Sequence, residues 1–214
     1  MNPVPVTFPC GDITLEGEWL SPEGEGPSPV VIVCHPYPPG GGNMFNNVVT
    51  DIFESLPEQG VTAFRFNFRG VGGSEGSFDE GVAEQEDVKA ALDFVASSPD
   101  VDIKRIGLAG YSFGAVVGMR VALRDERVSF LALVSSPLSD GNWAQLKAYG
   151  KPRLLIVGDA DQMIPLEQLR EHIRDIPHPE QYQVITGADH FLAGYEDIVA
   201  QKVALFFADG FNTA

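Results

Sequence analysis

One serine in the chain lies in a setting that suggests nucleophilic chemistry. Residues 108–115 read LAGYSFGA, so Ser112 stands at the centre of the pattern G-x-S-x-G. An apolar run precedes the pattern and a helical run follows it, which is typical of the sharp turn that exposes a nucleophilic serine. Glycines are expected on both sides because a side chain there would collide with the neighbouring strand and helix. The spacing therefore predicts a nucleophile, since a serine that only caps the next helix leaves both glycines unexplained.

A turn further along the chain offers two carboxylates that could orient a catalytic histidine. Residues 158–165 read GDADQMIP and directly follow an apolar run that we predict as a strand. Asp161 lies deeper in this turn, whereas Asp159 is more naturally a turn-former that accepts hydrogen bonds from nearby backbone N–H groups. We therefore predict Asp161 as the acid of the site and keep Asp159 as the alternative.

The general base is predicted by elimination among the four histidines of the chain. His172 lies within a predicted helix and His178 lies between two prolines, so both are expected at the surface. His35 precedes the serine and starts a loop rich in glycine and proline, which favours a role in shaping the site. His190 follows the last predicted strand and completes the chain order serine, acid, histidine. We therefore predict His190 as the base.

These three side chains predict covalent catalysis at a carbonyl carbon. His190 takes the proton from Ser112 as the serine attacks, and Asp161 holds the imidazole and stabilises its charged form. An acyl-enzyme results, and water then hydrolyses it.

The tetrahedral intermediate needs two preorganised N–H donors. One is expected from the backbone of Phe113, the residue after the nucleophile. The other is expected from the loop at 35–40, which reads HPYPPG. Proline has no N–H, so Tyr37 is the only donor between the histidine and the glycine of that loop. Aromatic side chains are expected to wall the substrate cleft, namely Tyr37, Tyr111, Phe113 and Trp143.

The pattern of apolar residues predicts the elements that position these groups. Alternating residues at Val4 to Phe8 and Ile13 to Trp19 predict an antiparallel hairpin at the start of the chain. Continuous apolar runs, typical of strands covered on both faces, are Val30 to Cys34, Val61 to Phe68, Ile106 to Ala109, Val128 to Val134, Leu154 to Val157 and Tyr182 to Ile185. Helices are predicted between them at Asn47 to Gln59, Gly81 to Ser97, Phe113 to Arg124, Leu166 to Asp175 and Tyr195 to Ala208.

This alternation of strands and helices predicts an α/β fold. We expect a mostly parallel central sheet with helices on both faces, the N-terminal hairpin at one edge, and a single domain over residues 1–214. Glycine-rich loops at 36–46 and 70–80 directly follow strands, where ligands bind in open α/β sheets. The interval 135–151 allows a short helix, Trp143 to Tyr149, but no cap domain.

The motifs together resemble those of the α/β-hydrolase superfamily, and more narrowly its small, lidless, dienelactone-hydrolase-like bacterial branch. Five blocks carry the resemblance over nearly the whole chain: HPYP with GGGNM at 35–44, FNFRGVGGS at 66–74, the serine pattern, G-x-x-D at 158–161 and DHF at 189–191. It implies the α/β-hydrolase fold, the triad, and a structural ion pair for Arg69. Dienelactone hydrolases proper use a cysteine nucleophile, so the serine at position 112 argues against lactones of that kind.

The composition and net charge of the chain limit the kinds of partner that the protein can bind. Hydrophobic residues make up 44% and charged residues 21% of the chain, which is typical of a globular domain. A net charge of -16 argues against nucleic acid and anionic membranes as partners. The first ten residues show no basic stretch followed by an apolar core, and no apolar run reaches the roughly 18 residues that span a bilayer, so a cytoplasmic location is expected. Cys10 and Cys34 form neither a disulfide framework nor a metal-ligand cluster, so no cofactor or metal is expected.

The leading prediction is an enzyme, a carboxylic-ester hydrolase that acts on small substrates with short acyl chains. A thioesterase or an amidase would use the same triad and stays open as an alternative. A non-catalytic binding protein on the same fold is the alternative from another class, because a fold does not by itself give a function. The oligomeric state and the physiological substrate stay open.

Overall fold

The computed structural model describes residues 2–24, 26–164, 166–174 and 182–213. Its strands are β1 (Val4–Cys10), β2 (Ile13–Leu20), β3 (Ser28–Cys34), β4 (Thr62–Phe66), β5 (Val101–Tyr111), β6 (Val128–Val134), β7 (Arg153–Gly158) and β8 (Tyr182–Ile185). Its α-helices are α1 (Asn47–Ser55), α2 (Glu84–Ala96), α3 (Phe113–Ala122), α4 (Asp140–Ala148), α5 (Leu166–Ile173) and α6 (Glu196–Thr213). These elements follow the predicted order of strands and helices.

The strands form one sheet in the order β1-β2-β4-β3-β5-β6-β7-β8. All pairs from β4 to β8 are parallel, whereas β1 with β2 and β2 with β4 are antiparallel. The sheet is therefore mostly parallel and carries the hairpin at one edge, so the predicted fold class is confirmed. The strand order reverses direction around β3 and β5, and this is where ligands bind in open α/β sheets.

Helices cover both faces of the sheet, and the sheet separates the core into two layers. The apolar sides of α1 and α6 pack on one face, against inner residues such as Val31, Ala109 and Ile156. Residues of α2, α3, α4 and α5 pack on the other face, against inner residues such as Ile32 and Leu108. Because successive side chains of a strand point to opposite faces, each central strand contributes to both layers. This explains the continuous apolar runs in the sequence.

Several boundaries differ from the predicted ones for local reasons. α1 ends at Ser55 and a short 3₁₀ turn follows from Pro57 to Gln59, because proline cannot donate a helical hydrogen bond. α2 begins three residues later than predicted. The carboxylate of Glu84 instead accepts hydrogen bonds from the backbone N–H groups of Asp79 and Gly81, at 2.7 and 2.8 Å, so the preceding segment stays a loop. α6 extends to Thr213, five residues beyond the predicted end.

The interval between β6 and β7 holds one nine-residue helix and no cap domain. This helix, α4, begins three residues before the predicted start because Ser139 and Asn142 form a capping box. The last residue of the predicted fourth helix, Asp175, lies outside the described residues, as does His178. Among the helices that are described, none has the length and apolar character needed to cross a membrane.

Candidate active site

The serine of the G-x-S-x-G pattern lies in a strained turn between β5 and α3. Ser112 has φ 52 and ψ -113, a backbone conformation that side chains other than glycine rarely adopt. Its backbone N–H donates to the carbonyl oxygen of Val134 in the neighbouring strand, at 2.9 Å. The turn therefore fixes the serine at the carboxyl end of the sheet, next to β6.

Both glycines of the pattern allow close backbone approach. A Cβ atom at Gly110 would lie 2.5 Å from backbone atoms of Ala115 at the start of α3. One at Gly114 would collide with the carbonyl oxygens of Cys34 and His35 at the end of β3. The helix after the serine thus packs directly on β5 and β3, as the sequence pattern predicts.

A continuous chain of hydrogen bonds links the three side chains of the predicted triad. The hydroxyl Oγ of Ser112 lies 3.0 Å from Nε2 of His190. The other ring nitrogen, Nδ1, lies 2.8 Å from Oδ2 of Asp161. All three side chains are buried, so water competes little for these contacts. If Nδ1 carries the proton, Nε2 is free to accept the proton of the serine hydroxyl.

The carboxylate of Asp161 is held by its own turn. Its second oxygen, Oδ1, accepts hydrogen bonds from the backbone N–H groups of Met163 and Ile164, at 2.8 and 3.0 Å. The carboxylate therefore presents Oδ2 to the histidine in a fixed orientation. Asp159, the alternative acid, instead accepts from the N–H of Gly187 at 2.7 Å and ties the acid turn to the histidine loop.

Two further contacts fix the loop that carries the histidine. Asp189 accepts hydrogen bonds from the N–H groups of Phe191 and Leu192, at 2.9 and 3.1 Å. The hydroxyl of Tyr111 donates to the carbonyl oxygen of His190 at 3.0 Å, and burial raises the pKa of this tyrosine to about 12. Tyr111 was predicted as a wall of the substrate cleft, but its side chain is buried and contacts the loop. It therefore supports the histidine rather than lining the cleft.

The two predicted oxyanion donors are unoccupied backbone amides. Within the described residues, the N–H groups of Tyr37 and Phe113 donate to no protein acceptor. The carbonyl oxygen of Tyr37 accepts from the N–H groups of Gly40 and Gly42, at 3.1 and 3.0 Å, which closes the loop into a tight turn. The half-exposed Tyr37 ring contacts the rings of Phe113 and Phe78 edge-on, with centroids 5.9 and 5.5 Å apart.

A buried histidine supports the oxyanion loop. Nε2 of His35 accepts a hydrogen bond from the backbone N–H of Phe68 at 3.0 Å, so Nδ1 carries the proton and donates to the carbonyl oxygen of Pro36 at 2.7 Å. Burial lowers the pKa of His35 to about 4, which keeps the ring neutral. The role in shaping the site that the sequence suggested for His35 agrees with these contacts.

An ion pair holds the loop after β4. The resemblance implied a structural ion pair for Arg69, but sequence analysis did not identify its partner. Arg69 pairs with Asp87 of α2 through Nη2 and Oδ1 at 2.6 Å, and this hydrogen bond raises the pKa of the guanidinium. Asp87 is fully buried and also accepts from the thiol of Cys10 at 3.4 Å. The adjacent Asn67, also missed, accepts from the N–H of Met44 at 2.8 Å. No pattern in the sequence distinguishes these buried polar residues from exposed ones.

Two clefts flank the nucleophile along the sheet edge. The first, the β3–β4 cleft, has a volume of about 710 Å³ and lies on the oxyanion side; its walls include Pro38, Gly42, Phe45, Asn67, Val71 and Phe78. The second, the α4–α5 cleft, has a volume of about 440 Å³ and lies beside the acid turn; its walls include Ser136, Leu138, Trp143, Ile164, Leu169 and His172. The predicted wall residue Trp143 stacks on the ring of His172, with centroids 5.0 Å apart.

The described side chains include no group of three or more His, Cys, Asp or Glu residues placed to hold a metal ion. The chemistry that the site can perform with its own residues is nucleophilic attack by a serine, proton transfer by a histidine, and stabilisation of an oxyanion by two amides.

Two comparisons with known proteins cover most of the chain. A family model described as X-Pro dipeptidyl-peptidase (S15 family) matches residues 11–190. An uncharacterized protein of Rickettsia prowazekii is 33% identical over 173 residues, which cover 77% of this chain and 72% of that protein.

Solved structures share the fold over almost the whole chain. An α/β serine hydrolase homologue from Coxiella burnetii is 36% identical, with a TM-score of 0.85 over 96% of this chain and 97% of that one. An α/β serine hydrolase without a lid from Xanthomonas campestris is 29% identical, with a TM-score of 0.78 over 96% of this chain and 94% of that one. The fold of the chain is thus shared with a hydrolase that has no lid.

Proposed function

The chain belongs to the X-Pro dipeptidyl-peptidase (S15) family of α/β-hydrolases, and we propose that within this family it is a serine esterase with Ser112, His190 and Asp161 as its catalytic triad. The observation that carries the proposal is the hydrogen-bond chain from the Ser112 hydroxyl to the Asp161 carboxylate. The buried carboxylate on the far ring nitrogen and the two backbone amides without a protein acceptor, at Tyr37 and Phe113, support the proposal. This combination is the one that acyl transfer requires.

In the first step the hydroxyl of Ser112 attacks the ester carbonyl carbon while Nε2 of His190 accepts its proton. The carbonyl oxygen becomes an oxyanion and accepts hydrogen bonds from the N–H groups of Tyr37 and Phe113. Asp161 stabilises the imidazolium through Nδ1. The tetrahedral intermediate then collapses, and Nε2 gives its proton to the departing alcohol oxygen.

In the second step water attacks the acyl-enzyme. His190 accepts a proton from the water, the same two amides stabilise the second oxyanion, and the proton returns to Ser112 as the acid leaves. Each step uses groups that are already held in place by hydrogen bonds, so little reorganisation is needed during the reaction.

The open site supports small substrates with short acyl chains. Only one nine-residue helix separates β6 from β7, so no cap domain covers the nucleophile. A long acyl chain would leave most of its methylenes in water, and each unburied methylene forgoes about 0.8 kcal/mol of binding. We expect the highest kcat/KM for roughly two to six acyl carbons, since further methylenes add little binding.

Labelling and kinetics test the proposal together. A fluorophosphonate probe should label the wild type and not Ser112→Ala, and this substitution should lower kcat for p-nitrophenyl esters by roughly three to six orders of magnitude. The matched control is Ser129→Ala. Ser129 lies near the amino end of β6, and its hydroxyl donates a hydrogen bond to the carbonyl oxygen of Ile106. Full activity in Ser112→Ala would exclude Ser112 as the nucleophile. A wild type that is neither labelled nor active on any ester would leave a non-catalytic binding protein as the better account.

The same panel separates ester hydrolysis from its alternatives. Thioesters and amides of matched acyl groups, and X-Pro p-nitroanilides because of the family description, use the same triad chemistry. A higher kcat/KM for an anilide or a thioester than for the matched ester would replace the esterase proposal with an amidase or a thioesterase. A rate maximum at ten or more acyl carbons would contradict the short-chain preference.

A further inference from the structure

The α4–α5 cleft contains a buried hydroxyl without a hydrogen-bond partner. Ser136 is only 8% exposed, and its Oγ contacts no donor or acceptor among the described residues. Buried hydroxyls are normally paired, because removal from water without a partner is unfavourable. Ser136 lines the cleft, but its Oγ is itself shielded from solvent, so contact with a ligand requires rotation about χ1 to another staggered position, which costs little. A ligand in the cleft could therefore supply the missing partner.

The cleft begins next to the triad, on the side of the acid. Ser136 lies two residues beyond Val134, whose carbonyl oxygen accepts the N–H of Ser112. Met163 and Ile164, which donate to the Asp161 carboxylate, line the opposite wall. The cleft thus lies beyond the carboxyl ends of β6 and β7, beside the strand that carries the nucleophile and on the side away from β3.

We propose that the α4–α5 cleft binds the alcohol part of the ester and that Ser136 recognises a hydroxyl group on it; this rests on the proposed esterase function. With the carbonyl oxygen directed to Tyr37 and Phe113, the departing oxygen must lie close to Nε2 of His190 to receive its proton. The His190 ring is held by the acid turn, whose residues line this cleft. The alcohol part is therefore the part of the substrate that the cleft receives.

The walls favour a small, neutral alcohol with a second hydroxyl group, such as a diol or a short polyol. Leu138, Ile164 and Leu169 give apolar surface, and a volume of about 440 Å³ has ample room for a diol or a short polyol. The described lining residues include no lysine or arginine, and the exposed carboxylate of Asp140 lies at the rim. Anionic alcohols such as sugar phosphates are therefore disfavoured.

Isosteric substrate pairs test this assignment. On the alcohol side, 2-hydroxyethyl butyrate is compared with propyl butyrate, and on the acyl side ethyl 3-hydroxypropanoate is compared with ethyl butyrate. We expect the wild type to have the higher kcat/KM for 2-hydroxyethyl butyrate. Ser136→Ala should lower the hydroxyethyl-to-propyl ratio by about five-fold, the effect of one neutral hydrogen bond, and should leave the acyl-side ratio unchanged.

Ser135→Ala is the matched control for this experiment. Its hydroxyl is also buried without a partner among the described residues, but Ser135 is fully buried and cannot reach a ligand. It should leave both ratios at the wild-type value. A wild type that prefers propyl butyrate, or a Ser136→Ala effect on the acyl-side ratio, would overturn the inference. An enzyme that is unlabelled by fluorophosphonate and inactive on all four esters would instead overturn the proposed function.

Discussion

Acidification below about pH 6.5 should destabilise the folded protein through His35. In the folded state the ring is buried and neutral, with its pKa lowered from 6.5 to about 4 by burial. In the unfolded state the same ring is expected to bind a proton near its ordinary value. Between these two pH values the unfolded chain therefore binds more protons, so the free energy of unfolding falls as the pH falls.

The size of this effect follows from the gap between the two pKa values. One pH unit corresponds to about 1.4 kcal/mol, so lowering the pH from 7.5 to 4.5 should remove about 2.5 kcal/mol of stability through this residue alone. The structure shows the physical reason: a proton on Nε2 would face the backbone N–H of Phe68, which now donates to that nitrogen at 3.0 Å. Within the part of the chain that the structure describes, the ring forms hydrogen bonds with backbone groups of Pro36 and Phe68 and with no carboxylate.

The assay is urea unfolding of the wild type and of His35→Gln at both pH values. The glutamine oxygen can accept the Phe68 N–H but does not titrate, so the variant should lose about 2.5 kcal/mol less than the wild type over this range. Carboxylates titrate in both proteins and cancel in the comparison. His172→Gln is the control, because it removes a histidine from a partly exposed position. Equal losses in wild type and His35→Gln would refute the reasoning.

Four further substitutions test the choice of acid and the supports of the site. Asp161→Asn should lower kcat by about three to four orders of magnitude, whereas Asp159→Asn should have a mild effect; the reverse order would exchange their roles. Gly42→Ala places a Cβ against the Pro36 carbonyl oxygen and displaces the oxyanion loop. It should lower kcat about 100-fold with little change in KM, and an unchanged kcat would exclude this loop as a donor. Asp87→Ala leaves a guanidinium unpaired and should reduce the unfolding free energy by about 3 to 5 kcal/mol in urea titrations; a loss below about 1 kcal/mol would show that water replaces the pair.

Sequence patterns predicted the fold well because the central strands are covered on both faces. β6 is apolar throughout and was predicted at its observed boundaries, Val128–Val134. β5 was predicted only from Ile106, although it begins at Val101. Its first residues include Asp102, Lys104 and Arg105, which lie towards solvent before the strand enters the core. A pattern built on burial detects only the buried part of such a strand.

The side chains of the candidate site were predictable to different degrees. Ser112, Asp161 and His190 lie one, three and five residues after the ends of β5, β7 and β8, and parallel strands bring their carboxyl ends to one edge of the sheet. Asp87 was missed because the sequence of a helix does not show whether an aspartate faces solvent or pairs with an arginine of another segment. The orientation of Tyr111 was also missed, since it depends on the loop from residue 189 onward, which packs over it only in the folded protein.

The backbone at Ser112 implies a conflict between selection for thermal resistance and selection for turnover. A non-glycine residue at φ 52 and ψ -113 stores strain, at a cost on the order of 1 kcal/mol or more. Glycine relieves most of that strain, so Ser112→Gly should unfold at a higher urea concentration than Ser112→Ala, while both are inactive. A library screened for heat resistance alone would therefore enrich chains that have lost the nucleophile. Directed evolution of this protein needs a catalytic screen in every round.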